Sequence, residues 1–481
     1  MRLEFELNPN LPRLAWAAHL RKHAPAVRIL HGPWVETREK CFFEGAWDGP
    51  FEGYRFDQAF TFLGSGARLA DGGVVFAGPS HTCESLHAVR ADDELFVSNS
   101  LAFLLTLSGE RLDAQYPHYY LDFLDHRRAG IRVKDKRLRL AGPRIVELHD
   151  CCNLAIQPDL TSSRLEKALG PAPQNYNDYV SFLTRTTEQV FANAGHPDRR
   201  RAYRPVTSMS QGYDTTAISA LAAKAGCREA VTFRRSNSPS GYEEDSGSLI
   251  APYLGLRVTE YERTEYNRLA ERRDHLFYIE PDGVDRSLAV MEEQLAGALL
   301  LTGRFAEKLW AREPSIRWGL PGDTGRGLFE QPTRFRLGGY ALGEFRIRAG
   351  FIHFPLAYSG GLHGPAIKAI TDSPSMNPWS LGAGYDKPIA RRIAEEAGVP
   401  RHLFGQVKKG GPRRGPQRRS WVRRKIYSFW KLSHWPPLRI LILRIMGNRL
   451  NTAWRRGSFA VQRGVERTTQ DYLSAISKRV G

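Results

Sequence analysis

The feature that most constrains the fold is a predicted buried strand that runs directly into a polar turn and a helix. Residues 206–209 suit a buried strand, residues 210–212 suit a tight turn, and residues 213–225 suit a helix that ends near Gly226. A strand joined to a helix in this way is typical of a parallel sheet. We therefore expect a doubly wound α/β fold here, with the turn at the carboxyl edge of the sheet.

The same turn is suited to binding an anion. Backbone N–H groups at a helix N-terminus have no intrahelical partner, and the helix dipole adds positive potential there. Ser210, Thr215 and Thr216 can donate further hydrogen bonds. Asp214 would repel a phosphate unless a cation lies between them, and Mg²⁺ shared with the phosphate is the simplest such cation. An ordinary strand-to-helix turn with polar caps is the alternative interpretation.

The turn resembles the pyrophosphate-binding loop (PP-loop) of ATP pyrophosphatases of the asparagine synthetase type. The family pattern is Ser-Gly-Gly-x-Asp-Ser-Ser, and residues 210–216 read Ser-Gln-Gly-Tyr-Asp-Thr-Thr. The resemblance implies that residues 166–415 form an ATP pyrophosphatase domain that binds MgATP, with Asp214 as a metal ligand. The implied nucleotide-binding residues in this loop are Ser210, Gln211, Gly212, Asp214, Thr215 and Thr216.

The next predicted strand, residues 230–233, adds two candidates. The family presents adenine near the end of this strand, so the resemblance implies that Thr232 and Phe233 form a wall for the nucleobase. Plain core packing is the alternative. Beyond this strand, the early acidic residues of segment 241–253 predict a helix.

A second glycine-rich segment, residues 319–329, resembles the Gly-x-Gly-x-Asp-Glu-Leu-Phe motif of the family. In one register Gly322 matches a motif glycine, Asp323 is the second metal ligand, and Leu320 stands where an acidic or Tyr residue assists the nucleophile. In the other register Asp323 is that assisting acid and Arg326 takes the metal position. We favour the first register because a single carboxylate holds a metal weakly. Either register lacks one acidic residue, and a plain loop is the alternative.

A third motif follows a predicted helix over residues 389–397. Residues 404–412 resemble the Lys-x-Gly-Phe motif that closes the family's domain, and Lys408 takes the place of the lysine that reaches the reacting phosphate. Lys409 is its neighbour, and Gly411 stands where Phe is usual. A cation here would stabilise charge that develops as a carboxylate attacks the α-phosphate and pyrophosphate leaves. The start of a basic tail is the alternative.

Residues 1–165 are expected to form a β-rich domain, because short apolar runs alternate with Gly, Asp, Asn and Ser turn signals. The domain resembles a degenerate glutaminase of the N-terminal-nucleophile (Ntn) hydrolase type. That enzyme uses a cysteine exposed after the initiator methionine, whereas this chain begins Met1-Arg2 and its first cysteine is Cys41. The resemblance therefore implies a domain without glutaminase activity. An unrelated β-rich domain is the alternative.

The cysteines and the termini of the chain bear on its location. The five cysteines have neither a disulfide framework nor a zinc spacing, which fits a reduced cytoplasmic setting. We see no signal peptide and no run of about 18 apolar residues that would span a membrane.

Residues 416–481 are expected to form a basic helical tail. Residues 401–481 carry 20 Lys and Arg but only 2 Asp and Glu, so they hold the whole net charge of +18. Arginines alternate with Trp and aliphatic residues, which suits an anionic membrane surface, here the inner face of the membrane. RNA or another polyanion, and a helical cap that packs on the domain, are the alternatives.

The three motifs occur in the family's order, which implies an asparagine synthase-related, ATP-dependent carbon–nitrogen ligase. Such an enzyme would adenylate a small-molecule or peptide carboxylate, release pyrophosphate and transfer the acyl group to an amine or ammonia. In this assignment Asp323 and Lys408 are catalytic, and Gly322 helps to bind the nucleotide. A nucleotide-binding pseudoenzyme or scaffold, and a PP-loop enzyme that modifies RNA, are the alternatives.

Overall fold

The computed structural model describes most of the chain. The described residues are 1–70, 72–129, 136–168, 170–236, 244–278, 285–304, 306–312, 342–382, 385–407, 409 and 447–478. Gly322, Asp323, Lys408 and residues 416–446 lie outside them, so the roles predicted for those residues stay predictions.

The N-terminal part of the chain is built mainly from β-strands. The strands are β1 (Arg2–Leu7), β2 (Trp16–Arg21), β3 (Ala26–His31), β4 (Glu36–Arg38), β5 (Cys41–Trp47), β6 (Phe62–Ala70), β7 (Gly73–Ala77), β8 (Leu86–Ala91), β9 (Glu94–Ser98), β10 (Arg137–Arg139), β11 (Ile145–His149), β12 (Cys152–Ile156) and β13 (Ser162–Glu166). One sheet has the order β1-β3-β2-β9-β8-β11-β10 and the other has the order β13-β12-β7-β6-β5-β4. These thirteen strands lie between residues 2 and 166, where the sequence predicts a β-rich domain.

The two sheets pack face to face around aromatic side chains. Trp16 of β2 stacks on Phe76 of β7, with ring centroids 5.9 Å apart, and meets Phe42 of β5 edge-on at 5.0 Å. The indole N–H of Trp16 donates to Ser65 Oγ at 2.9 Å, so its polar atom is satisfied inside the core. Residues from both sheets thus share one core, and the N-terminal part is a β-sandwich.

The second half of the chain contains the predicted parallel sheet. Its strands are β14 (Arg204–Met209), β15 (Glu229–Phe233), β16 (Arg257–Tyr261), β17 (Ala298–Leu301) and β18 (Ile352–Phe354). The strand order is β16-β15-β14-β17-β18, and every neighbouring pair is parallel. The prediction of a parallel α/β sheet is therefore confirmed.

Helices accompany both parts of the chain. They are α1 (Leu101–Ser108), α2 (Tyr119–Ala129), α3 (Tyr176–Ala194), α4 (Tyr213–Lys224), α5 (Glu292–Leu295), α6 (Ala306–Leu309), α7 (Gly343–Ala349), α8 (Gly364–Asp372), α9 (Pro388–Glu396) and α10 (Gly447–Ser477). Side chains of β17 alternate between two cores: Leu299 and Leu301 pack with α3 and α4, and Leu300 packs with α7. Because side chains alternate along a strand, the parallel sheet is covered on both faces.

The helix predicted over residues 241–253 is wrong within its described part. Residues 247–250 form a turn, and a short 3-10 helix, Ala251–Leu254, follows it. Gly247 packs so closely on Met209 that a Cβ there would lie 2.5 Å from the Met209 Cβ. This contact with the end of β14 takes precedence over the local helical pattern.

Buried charges join the sandwich to the parallel sheet. Arg346 of α7 is 1% exposed, and its guanidinium lies 2.6 Å from Glu44 Oε2 of β5 and 2.7 Å from Glu84 Oε2. Burial raises the pKa of Glu84 to about 7, although Arg346 opposes the shift. The sandwich and the parallel sheet therefore share an ionic core as well as apolar contacts.

Helix α10 packs along the body of the molecule. Tyr472 of α10 is 1% exposed and stacks on Phe103 of α1, with ring centroids 4.6 Å apart. The helix predicted for the tail is thus present over residues 447–477, with one face packed as the cap interpretation expects. Among the helices within the described residues, none is long and apolar enough to cross a lipid bilayer.

Candidate functional site

The candidate site lies where the order of the parallel strands reverses. β15 and β16 extend the sheet on one side of β14, whereas β17 and β18 extend it on the other. In open parallel sheets, ligands bind in the crevice beyond the carboxyl ends of the strands at such a reversal. Ser210 follows β14 directly, so the turn predicted to bind phosphate stands at this crevice.

The hydroxyl groups of the turn form hydrogen bonds within it. Ser210 Oγ accepts from the Gly212 N–H at 3.1 Å and lies 2.8 Å from Thr215 Oγ1, while Thr216 Oγ1 donates to the Gly212 carbonyl at 2.9 Å. Thr216 is fully buried, whereas the rest of the turn, residues 210–212 and 214–215, is half-buried. Thr216 thus stabilises the turn from inside, and Ser210 and Thr215 lie on the side that a ligand can reach.

The N-cap residue of α4 provides no side-chain acceptor for the first backbone N–H groups of the helix. Gly212 is the N-cap residue and has no side chain to cap the helix, whereas the Tyr385 hydroxyl accepts from the Tyr213 N–H. A helix N-terminus without a side-chain cap needs another acceptor for its first N–H groups, and an anion can supply it. A Cβ at Gly212 would lie 3.2 Å from Ser210 Oγ, which is a tight contact with a side chain that belongs to the same turn. The geometry therefore suits close approach of an anion to the backbone.

A second loop presses against the same helix start. Gly303 follows β17, and a Cβ on it would lie 2.8 Å from the Asp214 carbonyl carbon and 2.9 Å from Thr215 N. Only glycine fits such a contact without a shift of the backbone. Gly303 is not among the residues predicted from the sequence. The apolar run 298–301 followed by Thr302 and Gly303 was the available signal, because it has the form of a central strand and a tight turn.

Asp214 already has a cationic partner. Lys387, whose side chain is 3% exposed, donates to Asp214 Oδ2, and the Asp214 side chain is 19% exposed. Lys387 is the N-cap residue of α9, where the helix dipole disfavours a positive charge. A lysine directly before a predicted helix was a sequence signal for a pairing with an acid elsewhere. Lys387 is nevertheless absent from the site predicted from the sequence.

A second lysine reaches the turn from the segment after α9. Lys409 donates to Gln211 Oε1 and to the Glu244 carbonyl oxygen. The Gly405 N–H, four residues earlier, donates to the Gln211 carbonyl at 2.8 Å. Lys409, the neighbour of the predicted catalytic Lys408, therefore lies at the turn and contacts Gln211, which stands where the motif that the turn resembles has a glycine.

Further contacts fix the first residue of α4. Arg391 of α9 donates to the Tyr213 hydroxyl, and the Tyr213 ring lies 4.9 Å from the Tyr385 ring between centroids. Gly405 has φ 66° and packs so close to Tyr213 that a Cβ would lie 2.3 Å from the ring. α9 and the segment after it therefore hold the helix start in one position, which is the preorganisation that an anion site needs.

Acidic and basic side chains interact with one another beside the turn. Burial raises the pKa of Asp245 to about 6, against the opposing effects of Lys409 and of the Gln211 N–H. Burial also lowers the pKa of Arg263 to about 10, while Asp245 and Asp285 oppose the shift. Arg304, next to Gly303, pairs with Asp285 at 2.5 Å. The positive charges of Arg263 and Arg304 are thus partly compensated by Asp245 and Asp285. This balance of charge is compatible with an anionic ligand nearby.

Thr232 and Phe233 lie at the end of β15, beside the turn. The Thr232 hydroxyl donates to the Met209 carbonyl at 2.9 Å and accepts from the Gly247 N–H at 3.0 Å. The Arg263 guanidinium lies 3.9 Å from the centre of the Phe233 ring. Both residues have structural contacts, so their role at a nucleobase stays a prediction.

Asp214 is the magnesium ligand predicted at the turn, and its role as a ligand stays a prediction. Among the described residues, no group of three or more His, Cys, Asp or Glu side chains could hold a metal ion. Mg²⁺ often binds through one or two carboxylates together with substrate phosphates. Asp214 fits a metal that arrives with a nucleotide, and Lys387 would share or yield the carboxylate when it does.

The arrangement can bind and polarise a phosphate chain through helix N–H groups, two hydroxyls and two lysines. Such groups stabilise the charge that develops when a phosphoryl or nucleotidyl group is transferred. No protein-family model matches the chain, and no curated protein has a significantly similar sequence.

Proposed function

We propose that the chain is an ATP-dependent amide-forming ligase whose nucleotide triphosphate binds at residues 210–216. The observation that carries this proposal is the position of the turn, between β14 and the start of α4, at the reversal of strand order. A phosphate there would accept from the N–H groups of α4 and from Ser210 and Thr215.

The lysines favour a polyphosphate over a single small anion. Lys387 and Lys409 reach the turn from the same segment, yet they contact different residues, Asp214 and Gln211. We expect a chain of phosphates to contact both lysines more readily than a single phosphate would. Magnesium at Asp214 would neutralise charge on the phosphate chain. This supports ATP with Mg²⁺ as the ligand.

In the proposed reaction, a substrate carboxylate attacks the α-phosphate, and the bond between the α- and β-phosphates breaks as pyrophosphate leaves. An amine or ammonia then attacks the acyl-adenylate, and AMP leaves with the electron pair of the acyl–oxygen bond. Lys409, and Lys408 beside it in the sequence, would offset the negative charge that develops on the phosphates. Asp323 stays the candidate for the second acid.

The thiols of the chain support an amine source other than glutamine hydrolysis in the sandwich. Burial raises the pKa of Cys41 and Cys151 to about 12, and that of Cys152 and Cys227 to about 11. Such thiols are almost entirely protonated at neutral pH, so they are poor nucleophiles. None of the five cysteines forms a disulfide, which fits the cytoplasmic location that we propose.

The test combines nucleotide binding with isotope exchange. Wild-type protein should be stabilised by MgATP and should exchange labelled pyrophosphate into ATP only when the right carboxylate from a panel is present. D214N should lose MgATP-dependent stabilisation, whereas D93N, which changes an exposed acid of the sandwich, should retain it. Tight ATP binding without exchange on any carboxylate would favour a scaffold, and unchanged binding by D214N would contradict the site.

A further inference from the structure

Helix α10 has one face whose orientation is fixed by two glycines. A Cβ at Gly464 would lie 2.1 Å from the Tyr278 Cβ, and a Cβ at Gly457 would lie 3.0 Å from the Tyr120 ring. These glycines are seven residues apart, so they lie on the same side of the helix. Val461 and Val465 on this side are at most 2% exposed. The helix is therefore seated on the body by this face, and the opposite face points outward.

The outward face is cationic. Four exposed arginines lie on it, between residues 455 and 467, and Glu466 is the acid among them. We call this surface the arginine face, and it consists of Arg455, Arg456, Phe459, Arg463 and Arg467. Arg467 lies 3.8 Å from Asp471, whose carboxylate also contacts His275 at 2.9 Å. The arginine face thus carries a clear excess of positive charge.

Apolar side chains share the same outward side. Phe459 is 54% exposed, with the Arg463 guanidinium 4.4 Å from its ring centre, and Leu473 is 52% exposed. Phe459 and Leu473 are fourteen residues apart in the sequence, which brings them to the same side of the helix about four turns apart. A cationic face with exposed apolar side chains matches a bilayer interface, where the charges meet lipid headgroups and the apolar groups reach the acyl boundary.

The sequence before α10 is also basic and rich in aromatic residues. Residues 413–446 contain 10 Lys and Arg, no Asp or Glu, and the aromatic residues Trp421, Tyr427, Phe429, Trp430 and Trp435. Aromatic rings and basic residues together are typical of segments at the headgroup level. Leu473 favours lipid over nucleic acid, because an aliphatic side chain cannot stack on a base in the way that an aromatic ring can.

We propose that the arginine face of α10 docks the protein on an anionic phospholipid surface. The proposal is independent of the nucleotide site, because α10 packs on α1, α2 and the 3-10 helix Asp274–Phe277. Basic residues bind anionic lipid mainly through charge, so the interaction should weaken as salt is added.

The experiment measures co-sedimentation of the full-length protein with two kinds of vesicle. One contains phosphatidylcholine alone, and the other contains phosphatidylcholine and phosphatidylglycerol in equal amounts. Wild-type protein should bind only the second. R456E/R463E should bind it at least about tenfold more weakly, because each basic residue near such a surface contributes about fivefold. The control, R185E/K224E, reverses two exposed cations on α3 and α4 and should bind like the wild type.

A second variant separates lipid from other polyanions. F459S leaves the charge unchanged but should reduce the fraction that stays bound at high salt, because the buried apolar contact is lost. Equal vesicle binding by R456E/R463E and wild type would overturn the proposal. So would equal binding to both kinds of vesicle, or displacement from the anionic vesicles by a homopolymeric RNA that the protein binds more tightly.

Discussion

Replacing Lys387 by Met perturbs the candidate site most directly, because Lys387 is a cationic partner of Asp214. The pair joins the start of α9 to the first turn of α4, and its side chains are 3% and 19% exposed. Removing one partner of a buried ion pair costs about 3–5 kcal/mol, since the other charge stays buried. Asp214 keeps some contact with solvent, so we expect K387M to lose about 3 kcal/mol of unfolding free energy.

The assay is urea unfolding of a double-mutant cycle. D214N removes the charge that needs Lys387, so D214N/K387M should be more stable than K387M even though it carries one more substitution. The coupling between the two positions should be about 2 kcal/mol, within the range for residues in direct contact. Additive effects of the two substitutions would refute the reasoning, because they would mean that the two charges do not interact.

Calorimetry with ATP connects this pair to the proposed ligand. In K387M, magnesium can take over the carboxylate that the lysine has left, so the ratio of ATP affinity with Mg²⁺ to that with EDTA should rise at least about tenfold. The same ratio in both proteins would contradict a shared role of lysine and metal at Asp214. If neither protein binds ATP, the nucleotide site itself is wrong.

Two further predictions test the site and the junction. G303A should weaken ATP binding and cost about 1–3 kcal/mol of unfolding free energy, because its Cβ would lie 2.9 Å from the Asp214 Cβ. G343A is the matched control, since nothing lies within 4 Å of its Cβ. Equal effects of the two substitutions would refute the contact at Gly303. Burial raises the pKa of Glu344 from 4.5 to about 7, even though the Ser100 hydroxyl donates to it. The folded state therefore holds the Glu344 proton more tightly than the unfolded state does, so the free energy of unfolding should fall by roughly 3 kcal/mol as pH rises from 4.5 to 7. Urea unfolding at several pH values should show this contribution in the wild type and not in E344Q. Parallel pH profiles for wild type and E344Q would contradict the shift.

The parts of the fold that follow from local signals were predictable. β14, α4 and α9 lie where apolar runs and helix terminators placed them, because the residues that define such elements are close in sequence. α9 ends at Glu396, and Gly398 beyond it has φ 85°, a backbone conformation that favours glycine. The turn at residues 210–212 was predictable for the same reason.

The residues that complete the site depend on contacts between distant segments. Lys387 and Asp214 are 173 residues apart, and nothing near either residue identifies its partner. Position 303 requires glycine because it lies against the backbone of α4. This contact arises because β14 and β17 are neighbours in the sheet. The helix expected over residues 241–253 fails for a related reason, because Gly247 must approach Met209. Local patterns therefore predict elements, whereas the order of the strands decides which residues meet.

Contacts between distant segments also make the sandwich part of the core, although it offers no reactive thiol. Leu63 of β6 packs in the core of the parallel sheet, and Glu44 of β5 pairs with Arg346 of α7. A chain without the sandwich would leave Arg346 without the carboxylates of Glu44 and Glu84. An unpaired buried charge costs several kcal/mol. Tyr472 of α10 also donates to Glu344 of α7, at 3.4 Å, across the same junction. The division at residue 165 thus separates two compositions, but both sides contribute to one shared core, and the parallel sheet depends on the sandwich for part of its own interior.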